Sequence, residues 1–262
     1  MSLVVLWPAF LLSADRSRLA ADLAELRRCL GRIAVIALVQ YAFQVTYTFS
    51  LFFIYPGLMT LISQTQVVFG VLLALAFFPD ERVIVRDRMF LAGAAFAVMG
   101  VLLVVLGGRT WGSAEFNIGV LAVLASSLCW ALLGTLIKRW VPHVPPLLTI
   151  SSVLTIVVPL FLVTYVIANR GFPVPAAPPI DWVLMVASGL IGVGLGQSLF
   201  YRAVPVIGVA TSTSIGMLIP LLSTVVSWLA FGETLGPLQA LGGVVLVLGS
   251  WLIIRLRLSV QR

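Results

Sequence analysis

Eight stretches of this chain, each close to the length of a bilayer-spanning helix, contain no Asp, Glu, Lys or Arg: residues 33–54, 57–78, 89–107, 117–137, 146–168, 182–201, 207–231 and 235–254. The hydrocarbon core of a membrane takes about 20 mainly apolar residues per helix. A helix also satisfies its own backbone polar groups, which lipid cannot do. The pattern predicts an all-α integral membrane protein with eight full transmembrane helices. Composition agrees, with 61% hydrophobic and 10% charged residues, against roughly 45–50% and about 25% in soluble domains. A ninth apolar run, Leu3–Leu12, is too short to cross and reads as a fragment of a span. The longest connection, Asn169–Asp181, carries Pro173, Pro175, Pro178 and Pro179 and suits a solvated loop, so no soluble domain is expected.

The charged residues collect between these runs. Counted on alternate connections, one side receives 14 of the 16 basic residues, from Arg16, Arg18, Arg27, Arg28 and Arg32 through to Arg255, Arg257 and Arg262. The other side receives only Arg109 and Arg170. Lys and Arg accumulate on cytoplasmic loops, so the C-terminus is expected in the cytoplasm, with the chain in the cell (inner) membrane. The same distribution explains the net charge of +7 without invoking nucleic acid, which is not expected as a partner.

Other classes are disfavoured on similar grounds. Cys29 sits at a basic segment end and Cys129 deep in an apolar run, so a disulfide between them is not expected. Met1–Leu12 lacks the basic start and small-residue cleavage site of a signal peptide. The lone histidine, His143, lies in a turn between Pro142 and Pro145, which makes a poor metal site. No phosphate-binding loop occurs in a soluble segment, so direct use of ATP is not expected. No cofactor is called for.

The sequence also repeats itself. A stretch from Tyr47 through Glu81 to Gly93 and Gly100 has a counterpart from Tyr201 through Glu233 to Gly242 and Gly249. In each, Phe-rich sequence precedes the acid (Phe77-Phe78-Pro79-Asp80-Glu81; Phe231-Gly232-Glu233), and the last helix carries two glycines seven apart. The tyrosine-to-glutamate spacings are 34 and 32 residues, and the glutamate-to-glycine spacings 12 and 9. The charge count puts Glu81 on the cytoplasmic side and Glu233 opposite, so the copies are inverted, as in many carriers built from repeats.

At these residues the chain resembles the EamA-type permeases of the drug/metabolite transporter superfamily. Tyr201-Arg202-Ala203, Pro220, Phe231-Gly232-Glu233, Gly242 and Gly249 carry the better match. Gln64-Thr65-Gln66-Val67, Asp80-Glu81-Arg82 and Gly93 carry the other, which lacks the mid-helix proline. The resemblance implies two inverted repeats of five helices. Residues 1–108 would be the first, without its first helix and half of the second, and 117–256 the second. A start site set too far downstream or a gene fragment is favoured over a real shortened protein as the reason for the missing helix.

Polar side chains in mid-span usually face the protein interior or a watery cavity. Gln40, Gln44 and Tyr47 fall on one helix face. Gln64 and Gln66, two apart, cannot both point inward, and position favours Gln64. Ser127 and Trp130 are one turn apart, as are Gln197 and Tyr201. The run Thr211-Ser212-Thr213-Ser214 encircles the next helix, with Thr211 the candidate, and Pro220 is a candidate hinge. For every one of these the competing reading is helix packing, interhelical hydrogen bonding or a static kink. Gly192 and Gly196, and the pairs Gly93/Gly100 and Gly242/Gly249, are expected to serve close helix packing.

Taken with the resemblance, these residues suggest a secondary transporter, not an enzyme. It would export a small polar or amphipathic metabolite, amino-acid-like or drug-like, by alternating access, driven by a proton or substrate gradient. Its partners would be the small-molecule solute and membrane lipid, with a homodimer left open. The alternatives are a transport-inactive fragment, a membrane assembly partner, or an integral membrane lipid-modifying enzyme. The last would need clustered catalytic groups near one interface.

Overall fold

In the computed structural model the described residues are 16–79, 87–107, 114–169, 178–208 and 236–260, with isolated positions between 212 and 232. They form ten α-helices and one π-helix, with no strand among them. The helices are α1 (Arg16–Arg28), α2 (Leu30–Ser50), α3 (Pro56–Ile62), α4 (Thr65–Phe77), α5 (Arg88–Leu106), α6 (Ala114–Trp140), α7 (Pro146–Asn169), α8 (Pro179–Ser188), the π-helix Gly189–Gly196, α9 (Gln197–Ile207) and α10 (Pro237–Val260).

Imino acids and glycine set several of the ends. Pro56, Pro146, Pro179 and Pro237 each open their helix, where the missing N–H costs nothing because no carbonyl precedes it in the helix. Gly208, immediately after α9, has φ of 86°, a left-handed conformation that stops a helix and strains any residue with a Cβ. The expected span 57–78 is divided between α3 and α4, which meet at Ser63 and Gln64. The expected span 182–201 is longer than its charge-free core: α8, the π-helix and α9 run without interruption from Pro179 to Ile207. The sequence reading assigns no element to α1. Four arginines exclude it from lipid, but thirteen residues of mostly good helix formers make a helix at the surface.

Among the described residues five helical segments are long and apolar enough to cross a membrane: Leu30–Ser50, Pro56–Phe77, Asn117–Trp140, Pro146–Asn169 and Pro179–Ile207. Arg88–Gly100 and Pro237–Gly249 are shorter apolar stretches. Large hydrophobic side chains stand on the outside of these helices, among them Leu38, Leu72, Leu121, Val163, Ile167, Val183 and Ile191. That arrangement is tolerable only where lipid is the solvent. The protein is an all-α, multi-pass membrane protein.

The chain divides into two compact units, one from Met1–Tyr41 and Leu136–Val206, the other from Ala42–Thr135 and Ile207–Arg262. In the first, Ile33, Ile36, Ala37, Ile137, Leu148, Ile150, Val153 and Val204 are buried. The guanidinium of Arg32 donates to the Trp140 carbonyl at 3.4 Å, and the ring of Tyr41 meets Phe161 edge-on at 5.0 Å. In the second, Ile54, Leu58, Met59, Leu61, Ile62, Val67, Val71, Ala74, Phe90, Val123 and Leu246 form one apolar core.

Within that second unit, among the described residues, α5 packs extensively against α10. Gly93, Gly100, Gly242 and Gly249 are all buried. A Cβ on Gly100 would stand 2.7 Å from the Gly242 carbonyl oxygen and 2.7 Å from Leu246 Cγ. Only glycine lets the backbones approach this closely. Gly192 and Gly196 differ from this expectation. A Cβ on Gly192 would meet nothing within 4 Å, and one on Gly196 only the Ile191 carbonyl of its own segment. These two glycines lie within the π-helix and make no close contact with another described helix.

Candidate functional site

Hydroxyls in these helices spend their donors locally. Thr46 donates to Ala42 O at 2.8 Å, Ser126 to Val123 O at 2.8 Å, Ser151 to Leu147 O at 2.7 Å, Ser152 to Leu148 O at 2.7 Å and Thr155 to Ser151 O at 2.8 Å. Ser212, inside the polar run that starts at Thr211, does the same with Gly208 O. Such back-bonding leaves little for a solute and supports the packing reading of the small hydroxyls. Thr211 itself and Pro220 lie outside the described residues, as do Glu81 and Glu233.

The glutamines and one tyrosine behave differently. Gln40, Gln64, Gln197 and Tyr201 are 0, 1, 6 and 1% exposed. Among the described residues, both amide atoms of Gln40, Oε1 of Gln64, Oε1 of Gln197 and the Tyr201 hydroxyl have no hydrogen-bond partner. Burying a polar group unpartnered costs about 1–3 kcal/mol, and more in hydrocarbon. All four are among the candidates that the sequence supplies. Gln40, Gln197 and Tyr201 belong to the first compact unit, and Gln64 to the second.

Gln64 owes its position to the meeting of α3 and α4. Ser63 and Gln64 have ψ of −14° and −13°, which tightens the helix toward 3₁₀ geometry. The Gln64 amide N–H consequently reaches Leu61 O, three residues back, at 3.2 Å. Thr60 O loses that backbone donor and takes two side-chain donors instead, Ser63 Oγ at 2.8 Å and Gln64 Nε2 at 3.0 Å. Gln64 is thereby anchored through its nitrogen, and its oxygen is held as a buried acceptor. Gln66, two residues on, is only half-buried, in keeping with one inward glutamine of the pair.

Ser127 ties this tightened turn to α6. Its hydroxyl lies 2.8 Å from Val123 O and 3.2 Å from Ser63 O, a shared donation within and between helices. One turn further along α6, Trp130 packs on Phe43 of α2 with ring centroids 4.9 Å apart, and Phe43 packs on Tyr47 at 5.7 Å. Tyr47, Gln44 and Trp130 are half-buried. Phe43 is the residue that brings Tyr47 and Trp130 together, and the sequence reading passes over it. Its place four residues before Tyr47, hence on the same helix face, was the available signal. Among the described residues no group of three His, Cys, Asp or Glu could hold a metal ion.

Residues 117–255, more than half the chain, match the EamA-like transporter family. The chain belongs to that family. As an EamA protein it is similar to an uncharacterized transporter of Haemophilus influenzae, 22% identical over 237 residues that span 86% of this chain and 78% of the relative. It is also similar to the uncharacterized transporter YyaM of Bacillus subtilis, 26% identical over 173 residues, 64% of this chain and 56% of YyaM. A protein of known crystal structure superposes with a TM-score of 0.74 at 20% identity, covering 98% of this chain and 85% of its own. That likeness concerns the fold. Family and relatives together make this EamA chain a membrane transporter.

Proposed function

We propose that the protein is a secondary transporter that exports a small polar or amphipathic metabolite by alternating access between two inverted repeats, residues 1–108 and 117–256. The observation that carries the reading is the set of buried, unpartnered polar atoms on Gln40, Gln64, Gln197 and Tyr201. Ordinary packing selects against such atoms. A site that must release its own hydrogen bonds to a passing solute keeps them. Gln44, Tyr47, Ser127, Trp130 and Thr211 are proposed as further solute contacts, with Pro220 as the hinge. The C-terminus is assigned to the cytoplasm by the 14-to-2 distribution of basic residues.

The test is flux in proteoliposomes loaded with a panel of amino acids, nucleobases and drug-like amines. Gln40→Ala, Gln44→Ala and Gln197→Ala are each expected to lower flux by about tenfold, the loss of one hydrogen bond to solute. Unchanged rates and affinities in all three would remove these residues from the pathway. Absence of flux for every panel member, from this chain and from one with an added N-terminal helix pair, would count against transport itself.

A further inference from the structure

We infer that the second compact unit holds a recognition subsite for a protonated amine, with Gln64 Oε1 as acceptor for its N–H and the Phe43–Trp130–Tyr47 cluster as the surface against which its cationic end rests. The inference deepens the transport reading and rests on it, because a solute reaches so buried an atom only when the carrier opens.

Three observations lead to this chemistry. First, the Gln64 amide cannot exchange its ends without cost, since Nε2 donates to Thr60 O at 3.0 Å. What it offers is therefore an acceptor, and an ionised carboxylate has nothing to give an acceptor. Second, the carbonyls freed by the tightened turn are already served. Thr60 O receives Ser63 Oγ and Gln64 Nε2, Ile62 O receives Thr65 Oγ1 at 3.0 Å, and Ser63 O receives Ser127 Oγ and the Gln66 N–H. Among the described residues, the unmet demand at this turn is for a donor at Gln64 Oε1. Third, Ser127 joins the turn to α6, and three residues along that helix, about 4.5 Å of rise, Trp130 meets Phe43. Aromatic faces attract cations most strongly where water is excluded.

No Asp or Glu occurs within residues 33–79 or 117–137, the sequence that supplies these side chains. What these two segments offer the cation is a dipole and π-faces. A neutral alcohol satisfies the acceptor but gains nothing from the rings. A quaternary ammonium gains from the rings but has no N–H for the acceptor. A primary or secondary amine in its protonated form satisfies both.

The experiment measures equilibrium binding to the full chain in lipid nanodiscs at neutral pH, using phenethylammonium, 2-phenylethanol and 3-phenylpropionate as probes of one shape and three charges. Phenethylammonium is expected to bind about tenfold more tightly than the alcohol, and the carboxylate not measurably. Gln64→Met and Trp130→Leu should each weaken the ammonium by about tenfold while leaving the alcohol within about twofold for Trp130→Leu. Should Gln64→Met aggregate, Gln64→Asn, which keeps an amide but withdraws its oxygen, carries the same expectation. Equal affinity for ammonium and alcohol, an unchanged ammonium affinity in the Gln64 variant, or an unchanged ratio in Trp130→Leu, would overturn the inference. Flux of a neutral solute that depends on Gln40 and Gln197, with no ammonium binding, would retain the transport reading and discard this one.

Discussion

Replacing Gln40 by methionine separates a working polar residue from a structural one, because the two predict opposite signs of stability change. Gln40 is fully buried and neither amide atom has a partner among the described residues. At about 1–3 kcal/mol for each unpartnered group, removing both recovers up to about 6 kcal/mol. Transient water in the resting state would recover part of that already, so the expected gain is about 2 kcal/mol. Methionine is nearly the same size and unbranched, so it creates no cavity and forces no rotamer. For a chain of this length about 2 kcal/mol corresponds to a rise in melting temperature of about 4–8 °C, measurable by thermal unfolding of the purified protein in detergent. Solute flux in liposomes should fall by about tenfold in the same variant. A protein that melts lower and transports normally would show that the Gln40 amide supports the fold, and the argument from unpartnered atoms would fail at this residue.

The remaining expectations concern packing and topology. Gly100→Ala, which places a methyl 2.7 Å from a backbone oxygen, should destabilise the α5–α10 pairing by about 1–3 kcal/mol, read as a lower melting temperature, whereas Gly192→Ala should leave it unchanged or raised. An equal loss in both would contradict the distinction drawn between these glycines. Ser127→Ala removes the donor shared between Val123 O and Ser63 O and should cost about 1 kcal/mol in the same assay, with no cost if the 3.2 Å contact contributes nothing. A green fluorescent protein fused after Arg262 should fluoresce and a phosphatase fused after Arg170 should be active, while the reverse pair would invert the orientation.

The helices are legible in the sequence because lipid imposes a length and a charge rule that eight runs obey in plain view. Their subdivision is not. The tightened turn at Ser63 and Gln64 and the π-helix at Gly189–Gly196 are hydrogen-bond choices among carbonyls that a charge-free apolar run cannot reveal. The surface helix α1 escapes notice because its arginines read as orientation signals and mask its helix propensity. Inward glutamines can be named from cost alone, since an amide in mid-span needs a reason. The serines and threonines cannot be judged that way, because a hydroxyl in a helix can always fall back on a carbonyl three or four residues behind it. Phe43 is hidden for a related reason: in a chain this apolar, one more phenylalanine carries no signal until its ring is seen against Trp130.

The π-helix changes what mutations the segment Pro179–Ile207 can absorb. In an α-helix each residue advances the phase by about 100°, and a π stretch accommodates additional residues without turning the downstream helix by that amount. Deleting a single residue between Gly189 and Gly196 would let the segment relax toward α geometry and leave Gln197 and Tyr201 facing nearly as before relative to Ile180 and Trp182 upstream, whereas the same deletion within α8 would turn them by about 100°. Point substitutions at the exposed Gly192 leave that phase intact. The stretch thus acts as a buffer for angle: it can take up a change in its own length that elsewhere in the segment would turn the two buried polar groups of α9 away.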